Sequence, residues 1–147
     1  MSYFLGSEIS VLDAKGRINI PARLRRGLAP EAKDTFVIVR GFDPCVNLYP
    51  LDEWQRFNET LRELKRGDSD SRMLVQTLLE SAQEATIDGQ GRINLTDRLI
   101  GFAGLVKETK VLGSLDHLEL WNLPTWEERQ KGVDTQKFDA LVRKLLS

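Results

Sequence analysis

"DAKGRINIPARLRRGL" occupies residues 13–28, and a near-copy, "DGQGRINLTDRLIGF", begins at Asp88. Aligned without a gap, residues 13–24 and 88–99 agree at seven of twelve positions. A second pair of blocks follows in the same order, "VRGFDPCVNLYPLDEW" (39–54) and "VLGSLDHLELWNLPTW" (111–126). In it Val39, Gly41, Leu48, Leu51 and Trp54 recur as Val111, Gly113, Leu120, Leu123 and Trp126, and Tyr49 becomes Trp121. Two matching blocks in one order mean an internal duplication. The copies differ in charge. Residues 13–26 hold Lys15, Arg17, Arg23, Arg25 and Arg26 against Asp13, a net +4, while residues 88–101 hold two bases and two acids.

Each copy predicts the same elements. "SEISVLD" and "GRINI" read as strands around a turn at Ala14-Lys15-Gly16, where a tight hairpin calls for positive φ at Gly16 and, in the copy, at Gly91. Pro21 opens a short helix, "PARLRRGL". "TFVIVRG" and "VNLYP" give a second strand pair, and in "DEWQRFNETLRELK" Trp54, Phe57, Leu61 and Leu64 fall on one helical face. The second copy predicts strands at 83–88, 92–95, 108–115 and 118–122, a helix at 97–102 and a helical region at 124–146. "SDSRMLVQTLLESA" predicts an extra helix between the copies. Helical spacing favours core positions for Trp54, Trp126, Phe57 and Tyr49. The tail places Phe138, Leu141, Val142 and Leu145 on one side, to pack on a neighbouring subunit or on its own barrel.

The chain of 147 residues is long enough for one domain or two closely packed halves. A lone Cys45 precludes an internal disulfide and fits a reducing compartment. The start lacks a signal-peptide pattern and no stretch reaches the length of a membrane span, so a soluble cytoplasmic protein is expected. Net charge is −1, yet the basic cluster is local, and local charge steers polyanion binding. In each D-x-x-x-R element the Asp can accept from turn amides and pair with the Arg. In the first copy the surrounding bases also suit phosphates, and a guanidinium can read guanine.

The doubled D-x-x-x-R element, with "DAKGRINIPARLR" and "DPCVNLYPLDEW", resembles the MraZ family of bacterial transcriptional regulators over essentially the whole chain. The resemblance implies an α+β fold, a mainly β core with flanking helices, in which two tandem AbrB-like swapped-hairpin half-barrels form one pseudo-twofold, double-psi-like barrel. It implies a first repeat at 5–66, a connecting helix at 67–81 and a second repeat with C-terminal helices at 82–147. It further implies a nucleoid-associated repressor that binds promoter direct repeats of the division and cell-wall gene cluster as a ring-shaped homo-oligomer. Carried over, the DNA contacts fall on Lys15 and Arg17, with Arg23, Arg25 and Arg26 on phosphates. Asp13, Gly16, Asp88, Gly91 and Arg92 are motif and structural positions. Gln90 stands in place of Lys15, and Thr96 and Asp97 in place of Pro21 and Ala22, which assigns the second copy to the core or to subunit contacts.

No phosphate loop, dinucleotide fingerprint or metal-ligand spacing occurs, so neither cofactor, metal nor small-molecule substrate is expected. The one thiol–imidazole pairing open to the chain is Cys45 with His117, should the duplication bring their turns together. The alternative to DNA binding is a duplicated barrel that only assembles or holds a protein partner.

Overall fold

In the computed structural model, which describes residues 1–147, neither repeat completes its own sheet. The strands are β1 (Ser7–Val11), β2 (Arg17–Asn19), β3 (Thr35–Arg40), β4 (Val46–Pro50), β5 (Gln83–Thr86), β6 (Arg92–Asn94), β7 (Glu108–Gly113) and β8 (Leu118–Asn122). Six form an antiparallel sheet in the order β1-β7-β8-β4-β3-β5, and β2 pairs with β6. Thus β1 lies on β7 of the second repeat, and β5 lies on β3 of the first. This is the swapped-hairpin arrangement that the family resemblance implies. The helices are α1 (Ala22–Arg25), α2 (Leu51–Arg62), α3 (Ser69–Glu80), α4 (Asp97–Ala103), α5 (Leu123–Lys131) and α6 (Thr135–Leu146).

One expectation needs correcting. The sequence makes "SEISVLD" and "GRINI" two strands around a tight hairpin turn, but β1 and β2 form no ladder together. Backbone pairing closes the turn at Asp13–Arg17, and then the arms diverge to partners in the other repeat. The ribbon is β2 with β6, one strand from each copy.

The register fixes a pseudo-twofold axis. Ile18 pairs with Ile93, its own counterpart in the duplication, and Asn47 pairs with Glu119, likewise its counterpart. Register also revises the second sequence match. Ile38 faces Leu48, and Val111 faces Leu120, so with Leu48 equivalent to Leu120 the true partner of Val111 is Ile38, not Val39. The β3–β4 turn, Gly41 to Cys45, is one residue longer than the β7–β8 turn, Ser114 to His117, and that residue shifts the ungapped alignment. A one-residue slip sends a side chain to the opposite face of a sheet. Accordingly Ile38 and Val111 are in the barrel core, while Val39 joins Tyr49, Leu61 and Leu78 in a second cluster on the outer face.

The barrel core takes the inward residues of both repeats, among them Ile18, Ile20, Ile93, Leu95, Phe36, Leu48, Leu118 and Leu120. Leu24 of α1 and Leu99 of α4 close its ends from equivalent positions. On the outer face Tyr49 and Trp121 are buried, while Trp54, Phe57 and Trp126 are half-buried and pack over them: Tyr49 stacks on Phe57 at 5.0 Å, and Trp121 meets Trp126 edge-on at 5.2 Å. The C-terminal helical region divides at Gly132, after which Asp134 caps α6 by accepting from the Lys137 amide at 2.8 Å.

Ile18 and Ile93 are fully buried at the axis, so Ile18→Ala and Ile93→Ala should each cost about 2–5 kcal/mol, and by similar amounts. Urea unfolding checks this. A large cost for one and almost none for the other would refute their equivalence.

Candidate nucleic-acid interface

Both D-x-x-x-R elements are built first as turns. Asp13 Oδ1 accepts from the Lys15 and Arg17 amides, each at 2.9 Å, and Oδ2 accepts from Arg17 Nε at 2.8 Å. Asp88 does the same with Gln90, Arg92 and Arg92 Nε at 2.8, 3.0 and 3.2 Å. These bonds, the Arg17 and Arg92 amides foremost, hold both carboxyls below the ordinary carboxylate range. Gly16 and Gly91 adopt φ of 79° and 81° within the turns, the left-handed region that a tight reversal requires.

The turns bind each other across the axis. Gly91 O accepts from the Ile20 amide and Gly16 O from the Leu95 amide, both at 2.8 Å. Asn19 Nδ2 donates to Gln90 O at 3.0 Å. With its amide nitrogen facing the turn, Asn94 donates to Lys15 O at the same distance. Because alternate strand residues face opposite sides, burial of Ile18 and Ile93 turns Arg17, Asn19, Arg92 and Asn94 outward together. The sequence reading set Arg92 apart from the DNA-facing residues; the structure places it on the same ribbon face as Arg17. The alternation in the two "RIN" triplets carried that information, but only the cross-repeat pairing turns it into a shared face.

The remaining bases divide by what they touch. Arg25 Nε donates to Ile20 O at 2.7 Å, and its guanidinium covers Gly91 of the other turn. Its counterpart Ile100 covers Gly16 in the same way. Arg23 reaches Leu5 O and Ser7 O at 3.3 and 3.4 Å and lies 3.9 Å from the Glu8 carboxylate. Lys15 and Arg26 are exposed, and their side chains form neither a hydrogen bond nor an ion pair. In the second repeat Arg98, equivalent to Arg23, pairs with Glu80 at 2.8 Å. One side of the ribbon therefore carries free positive charge and the other does not.

Comparison with known proteins agrees with this duplicated architecture. The profile of the family described as "MraZ protein, putative antitoxin-like" matches twice, over residues 3–77 and 78–145. The chain belongs to the MraZ family. A curated relative, "Transcriptional regulator MraZ" of Natranaerobius thermophilus, is 36% identical over 143 residues, covering 97% of this chain and 96% of that protein. An MraZ chain is thus a transcriptional regulator by family, and no helix of this one is long and apolar enough to cross a membrane.

Within the MraZ fold, Cys45 and His117 share Glu119 as a neighbour but form no hydrogen bond with each other. The Cys45 thiol bonds Asn47 at 3.5 Å and is pushed up to about 12 by burial, the opposite of an activated nucleophile. His117 stacks on Tyr49 at 4.9 Å, its Nδ1 lies 2.7 Å from Asp116 and its Nε2 3.1 Å from Glu119. Two carboxylate acceptors select the imidazolium, the only form that donates from both nitrogens. Burial works against that charge, and the bonds to Glu119 and Asp116 outweigh it, so the pKa rises above its ordinary 6.5.

A folded-state pKa above the unfolded value means that this stabilisation is complete below about pH 6.5 and fades as pH rises through the folded value. Urea unfolding from mildly acid to mildly alkaline pH should show that decline, and His117→Gln should abolish it. An identical profile in both proteins would sink the argument. A Cβ at Gly16 would meet the Leu95 backbone oxygen at 2.9 Å, whereas one at Gly91 would meet the Arg25 guanidinium at 2.8 Å. The backbone cannot yield and the arginine can, so Gly16→Ala should lower the melting temperature more than Gly91→Ala. The reverse order would overturn that reasoning.

Proposed function

We propose that this protein is a DNA-binding repressor whose β2–β6 ribbon enters the major groove. The observation that carries the reading is the outward face of that ribbon, with Arg17 and Arg92 beside Asn94 and Asn19 over a buried isoleucine pair. A two-stranded ribbon fits the major groove, where arginine pairs with guanine and asparagine with adenine. Lys15 and Arg26, exposed and unpaired, take phosphates, and Arg23 and Arg25 add to the field from α1. The unequal charge of the two repeats then gives the ribbon a direction on DNA: its basic side is anchored by phosphate contacts and its neutral side is not.

One ribbon with a local net charge of +4 binds weakly at physiological salt, because each neutralised phosphate releases counterion and affinity falls as salt rises. Several copies in a ring-shaped homo-oligomer, gripping direct repeats together, supply avidity. The direct repeats upstream of the division and cell-wall gene cluster, the target that the family resemblance implies, suit such an assembly. This function places the protein in the cytoplasm, at the nucleoid.

The test is a mobility-shift titration on a duplex carrying the repeats upstream of the protein's own operon, at two salt concentrations. Arg17→Ala and Arg92→Ala should each weaken binding by about 1–3 kcal/mol, roughly tenfold to a hundredfold. Arg26→Ala should weaken all sequences alike and flatten the salt dependence by about one counterion. Loss from Arg17→Ala alone would confine recognition to the first repeat. A folded protein that binds no duplex at low salt would replace the regulator reading with that of an assembly protein.

A further inference from the structure

Each repeat ends in two helices, and the two pairs are used differently. In the first repeat, α3 turns back onto the outer face of the sheet, where Leu78 is buried and Val75 packs with Val37, Val39, Tyr49 and Leu61. The strand row beneath it runs Glu84, Val37, Tyr49. The equivalent row of the second repeat is Ile9, Lys110, Trp121. Trp126 of α5 covers Trp121, and the cover stops there. Ile9 and Val11 are 52% and 54% exposed on an edge strand, whereas the other edge strand shows Glu84 and Thr86 at the equivalent positions. Polar side chains are the usual protection of a free edge, so an edge bearing two exposed β-branched apolar residues is one that expects cover.

The helix that follows α5, as α3 follows α2, is α6, and it packs extensively against no strand or helix of its own chain. It has no buried residue, and Phe138 and Leu145 on its apolar side are 59% and 69% exposed. Twelve residues of isolated helix are marginal in water without a surface to pack on. The connections explain the difference. Six residues, Glu63 to Asp68, separate α2 from α3, whereas Gly132, Val133 and Asp134 alone separate α5 from α6.

The chain therefore holds both halves of one contact and satisfies neither. We infer that α6 of each chain docks, through Phe138, Leu141, Val142 and Leu145, on the outward face of β1 in a second copy, over Ile9 and Val11. The flanks of that apolar side carry Lys137, Lys144 and Asp139, and beside Ile9 and Val11 the strand face carries Glu108 and Lys110, an acid and a base for either sign. The contact joins two different surfaces, so each copy gives a helix and receives one, a head-to-tail relation that closes into a ring when the rotation allows. This inference rests on the homo-oligomer in the proposed function and names the surfaces that would build it.

The experiment mixes Ile9→Cys chains with Phe138→Cys chains of a different mass tag, under mild oxidation, beside each variant alone. The native thiol, Cys45, is buried and stays out of the reaction. Docking between copies predicts a covalent dimer of unlike chains, formed at least tenfold faster than like-with-like dimers. A Phe138→Asp/Leu145→Asp chain should drop to a smaller particle in light scattering while its barrel melts as the wild type does. If the double variant Ile9→Cys/Phe138→Cys links only within single chains, α6 folds back on its own sheet and the inference fails. An oligomer of unchanged mass in the Asp variant also overturns it, yet leaves assembly standing. A wild-type chain that is monomeric at high concentration removes both.

Discussion

The backbone bonds that cross the axis between the two D-x-x-x-R turns are what the rest of the structure depends on. Gly16 O and Gly91 O each accept an amide from the other repeat, and β2 has no partner but β6. A buried backbone group without a partner is costly, so a lone repeat would leave its turn and both edges of its strands unsatisfied. The aspartates order each turn, the glycines let the turns approach, and the isoleucine pair seals the crossing from within. The outward residues of the ribbon are held in place by these inward ones.

That division explains how near-identical backbones carry unlike surfaces. Pro21 and Thr96 both open a helix, one by its fixed φ and the other by accepting the Leu99 amide. Arg25 and Ile100 both cover a turn glycine, one with a guanidinium and the other with a methyl-bearing chain. Lys15 and Gln90 both present a carbonyl to an asparagine and leave the side chain in solvent. At every such position the frame needs only a shape or a backbone atom, and charge is free to differ. Two separate identical chains could not make that distinction between their halves.

Much of the fold was legible because the duplication doubles each signal. The strand and helix placements, the positive φ at Gly16 and Gly91, and the packing of the aromatics on the outer face all follow from local chemistry. Strand exchange did not show in periodicity, since "GRINI" alternates identically whether it pairs with its own arm or another; it came from family resemblance. The one-residue shift of β3 was hidden because Val39 aligned with Val111 by identity, while pairing, set by turn length, makes Ile38 the equivalent. Arg17, Lys15 and Arg26 were visible as charge. The outward placement of Arg92 was not, because its pairing partner lies in the other copy, seventy-odd residues away in sequence.

Exchange between repeats also sets the order in which the chain can be finished. The first strand, β1, finds its partner on β7, with Ser7 opposite Leu112, so most of the polypeptide must exist before that ladder can form. Loop closure over such a span costs entropy before any contact rewards it, and folds dominated by distant pairings form slowly. During synthesis the first repeat emerges with Ile9 and Val11 on an unpaired strand, waiting for the second. The six-stranded sheet therefore cannot close until the second repeat has been made, and neither repeat completes the barrel alone.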